Sequence, residues 1–148
     1  MEKWMSVKVR SEKTMENGLI KKVNEVYLLD ADTFTEAEMR ITEELCARGA
    51  KELQVQAIKK ENYSDVWFAE PEKGEKWYKV RYAVITIENG KEKKSYSNAL
   101  ILSDSTASAE KEFKVMMCGP LADMVIVGVS ETNFEDVLLY ESKEDENN

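Results

Sequence analysis

The residue types that carry most enzymatic and metal chemistry are scarce in this chain. It has no histidine, which removes the commonest general base, the Ser–His and Cys–His nucleophile pairs, and every metal site that needs imidazole. Two cysteines, Cys46 and Cys118, are too few for a four-thiolate zinc site and lie far outside Cys-x-x-Cys spacing. The six glycines are scattered singly, so neither a Gly-x-Gly-x-x-Gly turn nor a phosphate loop is present. Carboxylates, lysines and tyrosines remain, and among 29 Asp and Glu no pair stands out. The expectation is a protein that is not an enzyme and has no catalytic residues, no metal site and no cofactor.

Two groups of residues are candidates for binding. The formal net charge is −8, yet residues 71–100 hold seven Lys or Arg against four acids, while residues 101–148 hold three against eleven. The basic group includes Lys79, Arg81, Lys91, Lys93 and Lys94, and it alternates with Tyr78, Val80 and Tyr82. Such a ribbon suits phosphate contacts with aromatics nearby for stacking. The other reading is a solvated outer face with gatekeeping lysines on an edge strand. The overall −8 favours that second reading, because it opposes polyanions at long range. The second group is a repeated segment, Asn62-Tyr63-Ser64-Asp65-Val66 and Asn133-Phe134-Glu135-Asp136-Val137. Asn62, Tyr63, Asp65, Asn133, Phe134 and Asp136 either line a ligand loop or, the favoured reading, organise turns. In the favoured reading Tyr63 and Phe134 plug the core, and Val66 and Val137 resume a strand.

The elements that carry those residues repeat along the chain. Glu16-Asn17-Gly18 with Lys21-Lys22 returns 72 residues later as Glu88-Asn89-Gly90 with Lys93-Lys94. Cys46 and Cys118 are also 72 apart; as equivalent positions they are expected to be small buried residues at helix C-termini, with free thiols. The chain reads as a tandem duplication, residues 1–70 and 74–140, followed by a flexible acidic tail at 141–148. One shared globular unit with a pseudo-twofold axis is expected, since about 70 residues are marginal alone.

Each copy reads as ββαβ, an α+β fold with antiparallel sheets and one helix packed on a face of each. Trp4–Arg10 and Trp77–Val84 alternate apolar with polar, the mark of a half-buried strand. Asn17-Gly18 and Asn89-Gly90 supply positive φ for tight hairpins. The returning strands end in Val26–Leu29 and Ala99–Leu102, apolar enough for burial on both faces. Thr33 with Glu36 forms a capping box, and Ser105 is the matching cap. Ala37, Ile41 and Leu45 make one apolar stripe, and Ala109, Phe113 and Met117 make the other. Gly49 and Gly119-Pro120 end the helices. In the third strands the apolar positions Leu53, Val55, Ile58 and Met124, Ile126, Val129 step by two and then three, the signature of a β-bulge. The right-handed crossover rule gives strand order 2-1-3.

The framework Lys8-Val9-Arg10, Lys13–Gly18, Lys21-Lys22-Val23, Phe34–Glu38 and Asn62-Tyr63 resembles an uncharacterised family of short proteins from Bacteroides-type bacteria and their phages, known only as a domain of unknown function. The resemblance covers nearly the whole chain and brings no catalytic or binding residue. It implies a phage or mobile-element setting. No apolar run reaches the roughly 18 residues of a spanning helix, and Met1-Glu2-Lys3-Trp4 opens no signal peptide, so a cytoplasmic protein without membrane partners is expected. The function expected is a non-enzymatic binding or assembly module whose partner is a protein, a second copy included. The alternatives are nucleic-acid binding through the basic hairpin, or an acidic inhibitor that mimics nucleic acid.

Overall fold

A computed structural model describes residues 3–67, 76–117 and 123–139. The linker 68–75, Cys118, Gly119-Pro120 and the acidic tail lie outside the described residues. Trp4–Thr14 (β1) and Ile20–Asp30 (β2) pair antiparallel, Trp4 opposite Asp30 and Thr14 opposite Ile20. The tight turn expected at Asn17-Gly18 is instead a longer loop over residues 15–19. Only Gly18 has a positive φ there (+84°), and Asn17 Oδ1 accepts from the Leu19 amide at 3.1 Å. Lys76–Glu88 (β5) and Lys91–Ser103 (β6) form the second hairpin on Asn89 and Gly90 alone, with φ of +52° and +78°. That is the paired positive φ of a two-residue type I′ turn.

Both helices are capped as expected. Phe34–Ala47 (α1) starts at Thr33, whose hydroxyl accepts from the Glu36 amide at 3.1 Å, and the Glu36 carboxylate accepts from the Asp32 amide at 3.2 Å. It ends in a Schellman motif: Gly49, φ +93°, donates to the Cys46 carbonyl and Ala50 to the Leu45 carbonyl. Thr106–Met116 (α2) starts at Ser105, whose hydroxyl accepts from the Ser108 amide at 3.1 Å. The thiol of Cys46 is free but exposed, not buried. One residue past Leu45 turns the side chain about 100° off the apolar stripe.

Lys51–Glu61 (β3) and Met124–Glu131 (β7) complete the three-stranded cores. The step-by-three is a bulge in both. Lys8 and Val9 face Ala57 and Val55, leaving Gln56 over; Arg81 and Tyr82 face Gly128 and Ile126, leaving Val127 over. Two short strands then change the sheets from the antiparallel ones expected. Asp65–Trp67 (β4) runs parallel to β6, and Phe134–Leu138 (β8) runs parallel to β2. The result is two mixed four-stranded sheets, β3-β1-β2-β8 and β4-β6-β5-β7, in an α+β fold with two helices. The order 2-1-3 holds within each. Two compact units result, divided at Glu61/Asn62 and Asn133/Phe134. They depart from 1–70 and 74–140 because β4 and β8 each join the sheet of the other half.

In the first unit, Ala37, Ile41 and Leu45 of α1 cover Met5, Val7, Val9, Tyr27, Leu29 and Leu138. In the second, Phe113 of α2 covers Val80, Tyr82, Ala99 and Ile101. Leu28 and Leu100, which alternate with these positions, are also fully buried, as the continuous apolar runs imply. No helix among the described residues is long and apolar enough to cross a membrane.

Candidate interaction surface

Strand alternation decides which basic residues act together. In the β5–β6 hairpin, Val80, Tyr82, Ala99 and Ile101 face α2. Counting by two along the register puts Lys91, opposite Glu88, and Lys93, opposite Thr86, on that same side. Lys79, opposite Leu100, Arg81, opposite Asn98, and Lys94, opposite Ile85, point the other way. The five candidate cations therefore divide between two faces. Lys93 lies 3.8 Å from the Glu88 carboxylate and Lys76 3.2 Å from Glu131. The Arg81 guanidinium sits 5.0 Å from the centre of the Tyr96 ring, a cation–π distance that occupies one face of the exposed aromatic.

The side that carries Arg81 and Lys94 is also apolar. Ile87 is 77% exposed, Tyr96 53% and Val125 50%, and all three lie on it by register. Val125 belongs to β7, the last strand of its sheet, and no strand among the described residues pairs with its outer side. From Met124 to Ser130 the edge has no charge and no proline, and the bulge residue Val127 is 53% exposed. The other full-length edge, β3, reads Lys51-Glu52 at one end and Lys59-Lys60-Glu61 at the other, with Gln54 and Gln56 between. Charges and polar side chains blunt an edge against strand addition; β3 has them along its length, whereas β7 has them only at its C-terminal end, Ser130 and Glu131. The remaining edges, β4 and β8, are three and five residues long.

The repeated segment supplies those short strands. The Ser64 amide and hydroxyl both donate to the Asn98 carbonyl, at 2.8 and 3.0 Å, and the same hydroxyl is 2.9 Å from the Tyr82 phenol. The Asn98 side-chain amide donates to the Asn62 carbonyl at 3.3 Å. Asp65 pairs with Ala99 in β4, and Asp136 with Tyr27 in β8. Arg48, at the end of α1, donates to the Asp136 carboxylate at 3.2 Å. Tyr63 and Phe134 are half-buried, Asn62 and Asn133 exposed, and Val66 and Val137 stand within the strands. No cluster of three or more His, Cys, Asp or Glu side chains among the described residues is placed to hold a metal ion.

The bare β7 edge was not singled out from the sequence, although its signal was there. The first seven of the eight residues of the third strand are uncharged, and the 2-1-3 order puts that strand at an edge. Among known families, the one described as Domain of unknown function (DUF4494) matches residues 3–140. No curated protein and no solved structure matches the chain.

Proposed function

The chain belongs to the DUF4494 family, and on that footing we propose that it is a non-enzymatic assembly module that docks by strand addition at β7. The observation that carries this reading is the contrast between the uncharged run Met124 to Ser130 of the β7 edge and the charged ends of the β3 edge. An unpaired strand offers a row of amides and carbonyls to a partner strand, and the exposed side chains beside it supply the apolar contact. The occupant is a second copy of the chain, paired β7 to β7 about a twofold axis. Residues 124–130 have no charge, so two chains of net charge −8 meet where like-charge opposition is weakest. The tandem duplication belongs to this reading as its origin, supported by the common strand order, the matching caps and the matching bulges. The phage or mobile-element setting and the cytoplasmic location enter it through the family resemblance and the absence of a spanning run.

Sedimentation equilibrium of the wild type and of Val127→Lys tests the reading. The wild type is expected to dimerise and the variant to sediment as a monomer, with a denaturation midpoint equal to that of the wild type diluted to its monomeric range. A monomeric wild type at every concentration overturns it. A second reading, nucleic-acid binding, is favoured by one observation: Lys79, Arg81 and Lys94 share a side with Tyr96. It requires affinity that falls by roughly 0.9 log units per log unit of salt for each phosphate neutralised.

A further inference from the structure

The layer between α1 and its sheet turns polar before the helix ends. On the helix-facing side of β1, Met5, Val7 and Val9 are followed by Ser11 and Lys13. On β2, Leu29 and Tyr27 are followed by Glu25. The β5–β6 hairpin, by its register, has Val84 where this one has Ser11, Ala99 where it has Tyr27, and Ser97 where it has Glu25. Beneath the C-terminal end of α1 these residues open a pocket of about 470 Å³, within the range of small-molecule sites. Its floor is Leu45 at 5% exposed, Tyr27 at 6% and Ser11 at 4%. A hydroxyl that buried beside a pocket is a ready partner for a ligand.

The walls carry both signs of charge, Glu12 and Glu25 with Lys13, Arg48 and Lys51. On the hairpin side, the Glu25 carboxylate accepts from Lys13 at 2.8 Å and from the Tyr27 phenol at 3.3 Å. Its side chain is only 12% exposed. Burial, then the Glu25 carboxylate, pushes the Tyr27 phenol up to about 12; like any phenol it keeps its proton, and so remains a donor, at neutral pH. On the side where α1 passes into β3 stand Arg48 and Lys51. Arg48 is fixed by the carboxylates of Glu44 and Asp136, at 3.1 and 3.2 Å. Lys51 precedes Glu52, which holds a left-handed φ of +53°; non-glycine residues held there cluster at binding sites.

We propose that this pocket binds a small zwitterion of the amino-acid class. The ligand's ammonium meets the Glu25 carboxylate, its carboxylate meets Lys51 and Arg48, and its apolar body rests on Leu45 and Tyr27. A simple anion would face the half-buried Glu25 and the neighbouring Glu12, and a simple cation would face Lys13, Arg48 and Lys51. A ligand with both charges satisfies both walls at once.

The test is a titration of the full chain with L-leucine, followed by amide chemical shifts. Isocaproate and isoamylamine serve as the carboxylate-only and amine-only probes. Leucine is expected to shift Ser11, Lys13, Gly49 and Lys51 saturably, and the two single-charge probes to bind at least about tenfold more weakly, the equivalent of about 1.4 kcal/mol. Glu25→Gln and Lys51→Gln should each lose about tenfold in leucine affinity. Lys51→Gln, a change at an exposed site, keeps the test valid if Glu25→Gln fails to fold. Equal binding of either single-charge probe, or no saturable shift up to the solubility of leucine, overturns the proposal.

Discussion

The two units use one strand order to opposite ends. In the first, the helix covers an aliphatic layer of Val9, Ile41 and Leu138, and the layer opens at one end into a charged pocket. In the second, the matching layer holds aromatic rings: Phe113 lies 4.9 Å from Tyr82 and 5.8 Å from Trp67, between ring centres. Their edges differ too: β3 carries charges at both ends, and β7 is uncharged from Met124 to Ser130. A single scaffold therefore separates a unit with an internal polar recess from a unit with an apolar outer edge.

The largest effects should come from the two helix stripes. Phe113→Asp and Ile41→Asp each bury an unpaired carboxylate, costing several kcal/mol against a total of roughly 5–15. Both variants should be unfolded or nearly so, and an unchanged denaturation midpoint in either would mean that its stripe faces solvent. Leu138→Ala comes next. Leu138 lies in the second half of the sequence but packs in the first core, so its loss should cost about 2–5 kcal/mol. Amide exchange in that variant should rise first around β1 and α1; a rise confined to β5 and α2 would contradict the exchange of short strands.

A pH effect separates the units further. The Tyr27 phenol sits at about 12 in place of 10.0, through burial first and Glu25 second. The unfolded chain ionises this group from about pH 10 while the folded chain keeps its proton. The group's contribution is therefore intact below about pH 10 and declines by roughly 2–3 kcal/mol as pH rises to about 12. Tyr27→Phe should lack that share of the alkaline decline, read from denaturation midpoints across the window. Ala99, its counterpart in the second unit, has nothing to titrate. The smallest effect is expected at the basic hairpin. Arg81→Glu and Lys93→Glu should each move stability by no more than about 1 kcal/mol, since both groups are exposed. Neither should unmask or abolish a complex with DNA or RNA at physiological salt. A salt-sensitive complex lost with Arg81→Glu would replace the assembly reading with the nucleic-acid one.

Much of this architecture was legible locally. Thr33, Ser105 and Gly49 mark helix ends by chemistry that needs no distant partner, and the 53-55-58 and 124-126-129 steps fix the bulges. The parallel strands β4 and β8 were not legible. They are too short to display a period, and nothing in Asp65–Trp67 or Phe134–Leu138 encodes that each pairs with the other half. Adjacency misled at the hairpin, where Lys93 and Lys94 are neighbours in sequence yet lie on opposite faces of a strand. The pocket was missed because Ser11, Glu25, Arg48 and Lys51 meet only after the helix has crossed back over the sheet.

Amide hydrogen exchange, followed along β7 and β3 over a dilution series, tests the assembly claim most directly. The outward amides of Val125 to Ser130 should be protected at high protein concentration and lose that protection on dilution, while the outward amides of β3 exchange alike throughout. Exchange along β7 that is fast and independent of concentration, matching β3, would contradict the account.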